Sequence, residues 1–317
     1  MSFRIIGTGS YKPEFTVTND DLAKRIDTSD EWIRQRVGIS ERRISTDENT
    51  AEMGYKAALA ALEMSGTKPE ELDLIIAASL TGETLCPTTA GHIQKLLGAD
   101  CPAFDINSAC SGFVFALDTA AGFFARGKAK KALLVGSERM SKIIDWNDRS
   151  TCVIFGDGAG AAVLEAGDGY LESKLTTHGD SDVIRIPSGT ESSVYYTKQP
   201  QPSHVFMDGQ ETFKFAVNTI ADGIKEIIGK AGLSVDDIKY IVPHQANVRI
   251  IQLAAKRLKM PVEKFFVNIQ HYGNTSAASI PIALDELNRS GGIDRGDYIV
   301  LTAFGGGLSS GTCIIKW

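Results

Sequence analysis

Cys110 sits in Phe104-Asp105-Ile106-Asn107-Ser108-Ala109-Cys110-Ser111-Gly112-Phe113, where an extended apolar segment gives way to a helix-like run reaching Arg126. A helix N-terminus carries free N–H groups and partial positive charge, so it favours an anion. A thiol placed there is expected to lose its proton more readily, and the thiolate is the nucleophile. The small neighbours Ser108, Ala109, Ser111 and Gly112 leave room for an electrophile to approach. A cysteine among small residues also suits a plain core position. His244, in Pro243-His244-Gln245-Ala246-Asn247, follows the strand-like Ile238 to Val242 and precedes an amphipathic run. Imidazole there can donate to a developing oxyanion or move a proton, and Asn247 can cap the helix that follows. Asn274, in Gly273-Asn274-Thr275-Ser276, offers two donors and cannot ionise, although Gly-Asn is also turn chemistry. Gly305-Gly306-Gly307, at a strand end, permits close backbone approach and free N–H groups for an oxyanion; it also suits a hairpin before a last strand from Thr312 to Trp317.

The elements around these points are duplicated. Gly66-Thr-Lys-Pro-Glu-Glu-Leu-Asp-Leu-Ile-Ile76 resembles Gly232-Leu-Ser-Val-Asp-Asp-Ile-Lys-Tyr-Ile-Val242, and Ala116-Leu117-Asp118 echoes Ala283-Leu284-Asp285, at offsets of 166 and 167 residues. Each match follows or begins a helix-like run that leads into an apolar, β-branched strand. This implies two similar α/β halves, 1–170 and 171–317, with sheets buried on both faces. The second offset sets Cys110 against Ala277, beside Asn274. A pseudo-twofold axis would then bring the cysteine turn and the asparagine turn together.

The chain has 317 residues, is 43% hydrophobic and carries 33 basic against 39 acidic residues, a net charge of −6. That balance speaks against nucleic acid as a partner. No apolar run approaches membrane-helix length and no leader pattern opens the chain, so a soluble cytoplasmic protein is expected. Five cysteines without motif spacing suggest neither a disulfide framework nor a metal site. Gly156-Asp157-Gly158-Ala159-Gly160 looks like a dinucleotide loop, but it precedes the strand-like Ala161 to Leu164 and opens no helix; Gly7-Thr8-Gly9 likewise leads to no helix.

Together, Ala-Cys110-Ser-Gly-Phe, His244-Gln-Ala-Asn, Gly-Asn274-Thr-Ser and Phe-Gly-Gly-Gly resemble the β-ketoacyl-[acyl-carrier-protein] synthase III family. So do Gly7-Thr-Gly-Ser-Tyr11, Asp27-Thr-Ser-Asp-Glu-Trp32 and Phe155-Gly-Asp-Gly-Ala-Gly-Ala161. The resemblance spans essentially the whole chain. It implies an α/β thiolase-like fold, two duplicated halves in five αβαβα layers, usually as a homodimer. It also implies a chemistry. Cys110 takes an acyl group from acyl-CoA, and His244 and Asn274 hold a malonyl-carrier-protein thioester through decarboxylation. The new carbanion attacks acyl-Cys110, whose oxyanion rests on the N–H groups of Cys110 and Gly306. No permanently bound cofactor is implied; coenzyme A arrives as substrate. Trp32, Arg36, Arg149, Asn247 and Thr28 match CoA-binding positions, and Lys214, Arg249 and Lys256 match carrier-protein contacts. Cys86 stands before Pro87 where acetyl-selective members place Phe, at a position that meets the partner subunit's acyl pocket. Longer or branched starters are therefore expected.

Neighbouring branches fit less well. Thiolases use a second active cysteine near the C-terminal glycine-rich stretch; here that stretch has none, and Cys313 lies beyond it in an expected core strand. Elongating ketosynthases place His where this chain has Asn274. Hydroxymethylglutaryl-CoA synthases need a glutamate where this chain has Leu80, with Glu83 close by. A specialised polyketide ketosynthase, a Cys-His-Asn hydrolase and an inactive acyl-CoA-binding module are the remaining alternatives. Acyl transfer from CoA to Cys110 separates the enzyme from the last two.

Overall fold

The computed structural model describes residues 2–188, 195 and 201–317. Two sheets carry the fold. In the first, the order is Ser2–Tyr11, Asp157–Gly167, Lys131–Arg139, Leu74–Ala78, Ala103–Ile106. In the second it is Tyr170–Asp180, Gly307–Lys316, Tyr298–Gly305, Ile238–Pro243, with Phe265 bridging in parallel to Ile241 beyond the last strand. Both sheets run antiparallel, antiparallel, parallel, parallel in that order. The duplicated sequence thus corresponds to one topology built twice.

Strand alternation explains the layering. Leu74 and Ile76 point into the same core as Ile299, Leu301, Cys313 and Ile315 of the other sheet. Two helices fill that core: the cysteine helix, Gly112–Ala125, and the asparagine helix, Ser279–Arg289. Ile75 and Ala77 face outward under Thr50–Ser65 and Thr89–Leu97, while Ile241 and Val300 face outward under Gly209–Lys230 and Val248–Leu258. The result is five layers, helix, sheet, helix, sheet, helix, with strands apolar on both faces as burial demands.

Two glycine-rich segments differ from the sequence expectation. The strand expected at Ala161 to Leu164 begins at Asp157, so Gly158 and Gly160 lie within it. An added Cβ at Gly160 would lie 2.6 Å from the Ile282 nitrogen, so the glycine lets the asparagine helix press against the sheet. The last strand starts at Gly307 rather than Thr312, which puts the hairpin turn at Gly306. Among the described residues, no helix is long and apolar enough to cross a membrane, and no group of His, Cys, Asp or Glu could hold a metal ion.

Candidate active site

The cysteine turn and the asparagine turn are built alike. Each is a short 3-10 turn, Ala109–Ser111 and Ser276–Ala278, feeding directly into one of the two central helices. Each opens on a non-glycine residue in the left-handed region, Ala109 at φ 46° and Ser276 at φ 50°. These positions are 167 residues apart, the spacing of the sequence repeat. Strained backbone of this kind persists only where its surroundings hold it. Here the turns pack on each other near the pseudo-axis, where an added Cβ at Gly112 would lie 3.6 Å from the Ala277 Cβ.

A cavity of about 500 Å3 opens beside them, lined by Cys110, His244, Asn274 and Gly306 together with apolar side chains that include Leu80, Phe155, Phe213 and Phe304. Asn274 is buried, and its Oδ1 accepts from the Ser276 N–H at 2.8 Å. That bond fixes the amide orientation and leaves Nδ2–H as the donor. His244 is likewise buried, its Nδ1 lying 2.6 Å from the Ser279 hydroxyl. Burial pushes its pKa down to about 3, so the ring is neutral. Ser279 Oγ also accepts from the Gln245 N–H at 3.4 Å; with Ser279 assigned as the donor to Nδ1, the ring proton is on Nε2. Two neutral N–H donors thus belong to one cavity with a cysteine.

The cysteine itself departs from expectation. Burial pushes the Cys110 thiol up to about 12, the Ser276 hydroxyl and the backbone favour its charged form, and Glu138 opposes it. The sequence reading, of a thiol eased toward ionisation by a helix start, omitted this desolvation. The glycine hairpin packs directly against it: an added Cβ at Gly305 would lie 2.8 Å from the Cys110 nitrogen. Ser309 fastens the hairpin to the cysteine turn through Ser111 Oγ at 2.7 Å and the Ser108 carbonyl at 3.2 Å.

Trp32 and Arg36 line the cavity, and the Arg36 and Arg149 guanidinium groups lie 5.8 and 5.0 Å from the Trp32 ring centre. Asn247 caps the helix Val248–Leu258 and donates from its side chain to the Arg36 carbonyl at 3.2 Å. Thr28 Oγ1 is buried without a hydrogen-bond partner. Lys214, Arg249 and Lys256 are exposed on the two outer helices that pack together, and Arg249 also lines the cavity. Cys86 is exposed and lies outside the lining of its own chain's cavity. Glu83 is held by Lys142 at 3.3 Å and Arg139 at 3.7 Å, away from the lining that Leu80 joins.

Profiles of 3-oxoacyl-[acyl-carrier-protein] synthase III match residues 104–179, and of its C-terminal part residues 228–317. The chain is 50% identical to a β-ketoacyl-[acyl-carrier-protein] synthase III of Clostridium acetobutylicum, covering 100% of this chain and 99% of that one. The chain belongs to the β-ketoacyl-[acyl-carrier-protein] synthase III family. Among solved structures, the Aquifex aeolicus family member superposes with a TM-score of 0.94 at 45% identity, covering 99% of this chain and 100% of that one. A priming β-ketosynthase from the R1128 polyketide pathway gives 0.92 at 37% identity, covering 99% and 96%. The fold is therefore the thiolase fold of this family.

Sequence reasoning missed three residues of the site. Ser276 closes the Gly273-Asn274-Thr275-Ser276 motif and Ser279 lies three residues beyond it, but the sequence alone gives neither hydroxyl a role. Glu138 was not singled out; its one signal is a charge at the end of the apolar strand Lys131–Arg139. It is fully buried, and its carboxylate accepts from Ser79 Oγ, the Leu80 N–H, Thr81 Oγ1 and Ser276 Oγ.

Proposed function

We propose that Cys110, His244 and Asn274 carry out a decarboxylative Claisen condensation of an acyl-CoA starter with malonyl-acyl-carrier-protein, initiating fatty acid biosynthesis. The Cys110 sulfur attacks the acyl-CoA carbonyl and CoA leaves with the thiol proton. Malonyl-carrier-protein then places its thioester oxygen against His244 Nε2–H and Asn274 Nδ2–H. Carbon dioxide departs, and its bonding electrons become an enolate stabilised by these donors. The enolate carbon attacks acyl-Cys110, whose oxyanion rests on the Cys110 and Gly306 N–H groups. Collapse expels the cysteine sulfur, which takes up one proton, and releases 3-ketoacyl-carrier-protein.

One observation carries this reading. His244 Nδ1 is paired with the Ser279 hydroxyl and Asn274 Oδ1 accepts from the Ser276 N–H, which leaves His244 Nε2 and Asn274 Nδ2 for the ligand. A hydrolase needs a base beside its nucleophile, and a neutral imidazole presenting N–H does not supply one. Trp32, Arg36, Arg149, Asn247 and Thr28 are the proposed CoA contacts, by stacking, charge and hydrogen bonding. Lys214, Arg249 and Lys256 would receive the acidic carrier protein. The reading places the nucleophile in an N-terminal half, 1–170, and its donors in a C-terminal half, 171–317, of a cytoplasmic homodimer. Cys86 would border the partner subunit's acyl pocket and admit longer or branched starters.

Intact-mass analysis after mixing with acetyl-, isobutyryl- and hexanoyl-CoA tests the reading. The parent is expected to gain each acyl mass and to release it as product on addition of malonyl-carrier-protein, while Cys110→Ser gains none. Labelling that survives Cys110→Ser overturns the mechanism; strict acetyl selectivity overturns the role given to Cys86.

A further inference from the structure

Arg42, in the short strand Glu41–Arg43, is fully buried, yet no carboxylate among the described residues pairs with it. Its guanidinium donates to three neutral oxygens reached from two sides. Nη1 meets the Val17 carbonyl at 3.2 Å and Asn19 Oδ1 at 2.9 Å, and Nη2 meets the Val153 carbonyl at 2.8 Å. Burial pushes its pKa down to about 10, so it stays charged at neutral pH. A buried cation without an anion is costly. Plain packing here would be met by an apolar side chain of similar length.

The segment that Nη2 holds is the one on which Asn274 hangs. Just after Val153, the Ile154 carbonyl accepts from the Asn274 N–H at 2.9 Å, and the Gly156 N–H donates to the Asn274 carbonyl at 3.1 Å. Phe155 lies between them, bridged in parallel to Asn274. Both backbone groups of Asn274 are thus spent on residues 154 and 156. The Arg42 stem reaches the same place: an added Cβ at Gly156 or Gly273 would lie 3.1 or 3.4 Å from the Arg42 Cβ. The other side is a fixed anchor. Asn19 is buried, and its amide donates to the Ile39 carbonyl at 2.7 Å and to Asp30 at 2.9 Å. Because the Ser276 N–H sets the Asn274 amide orientation, the place of Nδ2 follows the backbone.

We propose that Arg42 is a positioning residue for Asn274, its guanidinium tying residues 153–156, and with them the Asn274 backbone, to the anchor of Val17 and Asn19. The catalytic consequence rests on Asn274 acting in condensation; amide exchange tests the tie without that premise.

The experiment compares the parent with Arg42→Lys, which keeps the charge but cannot span both sides from a single ammonium. Residue-resolved hydrogen exchange is expected to quicken about tenfold or more at the Asn274 and Gly156 amides, and not in the strand Leu74–Ala78. Condensation should slow about tenfold or more, through kcat rather than KM, while acylation of Cys110 at saturating acyl-CoA changes far less. In an Asn274→Ala background Arg42→Lys should add no further loss. A merely structural role would quicken exchange throughout and slow both half-reactions alike, and either result overturns the proposal. So does unmoved exchange at the two amides, or an additive loss in the Asn274→Ala background. Quickened exchange with unimpaired condensation supports the tie and overturns the role given to Asn274. If Arg42→Lys does not fold, Asn19→Ala removes one of the three acceptors, and unmoved exchange at Asn274 and Gly156 in that variant overturns the proposal.

Discussion

A neutral imidazole and a primary amide share one ability, donating a hydrogen bond without carrying charge. That is what a developing enolate oxygen needs. His244→Ala or Asn274→Ala is therefore expected to slow condensation by roughly 10²–10³-fold, the cost of losing one such donor, while acylation of Cys110 falls far less. Stopped reactions with radiolabelled acyl-CoA separate the two steps. With its pKa held near 3 by burial, His244 stays neutral through the working range, so the condensation profile should show no limb from it near neutrality. Glu138 makes a different prediction. Its folded pKa, about 7, stands above the ordinary carboxylate value, so folding is favoured while it keeps its proton. That contribution is complete below pH 4.5 and is lost as pH rises through 7. Glu138→Gln should then gain stability relative to the parent, of order 3 kcal/mol, between pH 4 and pH 8, read by denaturant unfolding at both. Cys110, His244 and Asn274, which the structure brings to one cavity, stand out in the sequence because reactive types lie at element junctions. Ser276 and Glu138 do not, because their pairing joins residues 138 apart and exists only in the folded chain.

Elements fix these residues by close approach. The cysteine turn is clasped between the asparagine turn and the glycine hairpin, so a methyl group in the wrong place displaces the sulfur. Gly305→Ala would set its Cβ 2.8 Å from the Cys110 nitrogen, a backbone atom that cannot swing aside as a side-chain tip can. The expected outcome is loss of acyl-Cys110 formation by at least tenfold, with destabilisation of about 1–3 kcal/mol from overpacking; intact mass and thermal melting measure both. An unaffected acylation rate would mean the hairpin does not position the nucleophile. The sequence shows that these glycines permit close approach, and the run Gly156 to Gly160, which was expected to open no helix, leads into a strand. It could not show what approaches. That the asparagine helix lies on Gly160, and Cys110 on Gly305, depends on the stacking of two sheets.

At the scale of the molecule, the repeat matters because its two equivalent turns meet, and Cys110, Asn274 and His244 line one cavity beside them. The sequence offsets anticipated that meeting and the doubly buried sheets. They left the strand order open, since an apolar strand does not name its neighbour. The same five-layer stacking puts Gly209–Lys230 and Val248–Leu258 outermost beside the cavity mouth, with Lys214 and Lys256 exposed on them. The whole chain carries −6, which repels an acidic carrier protein at a distance, so docking must rely on a local basic face. Lys214→Glu combined with Lys256→Glu should raise KM for malonyl-carrier-protein about tenfold at low salt through slower encounter. The penalty should shrink at high salt, where charges more than a few ångströms apart are screened. Self-acylation from acyl-CoA, which does not involve the carrier, serves as the comparison. A salt-independent rise in KM, or an equal loss in both half-reactions, would place carrier recognition elsewhere on the surface.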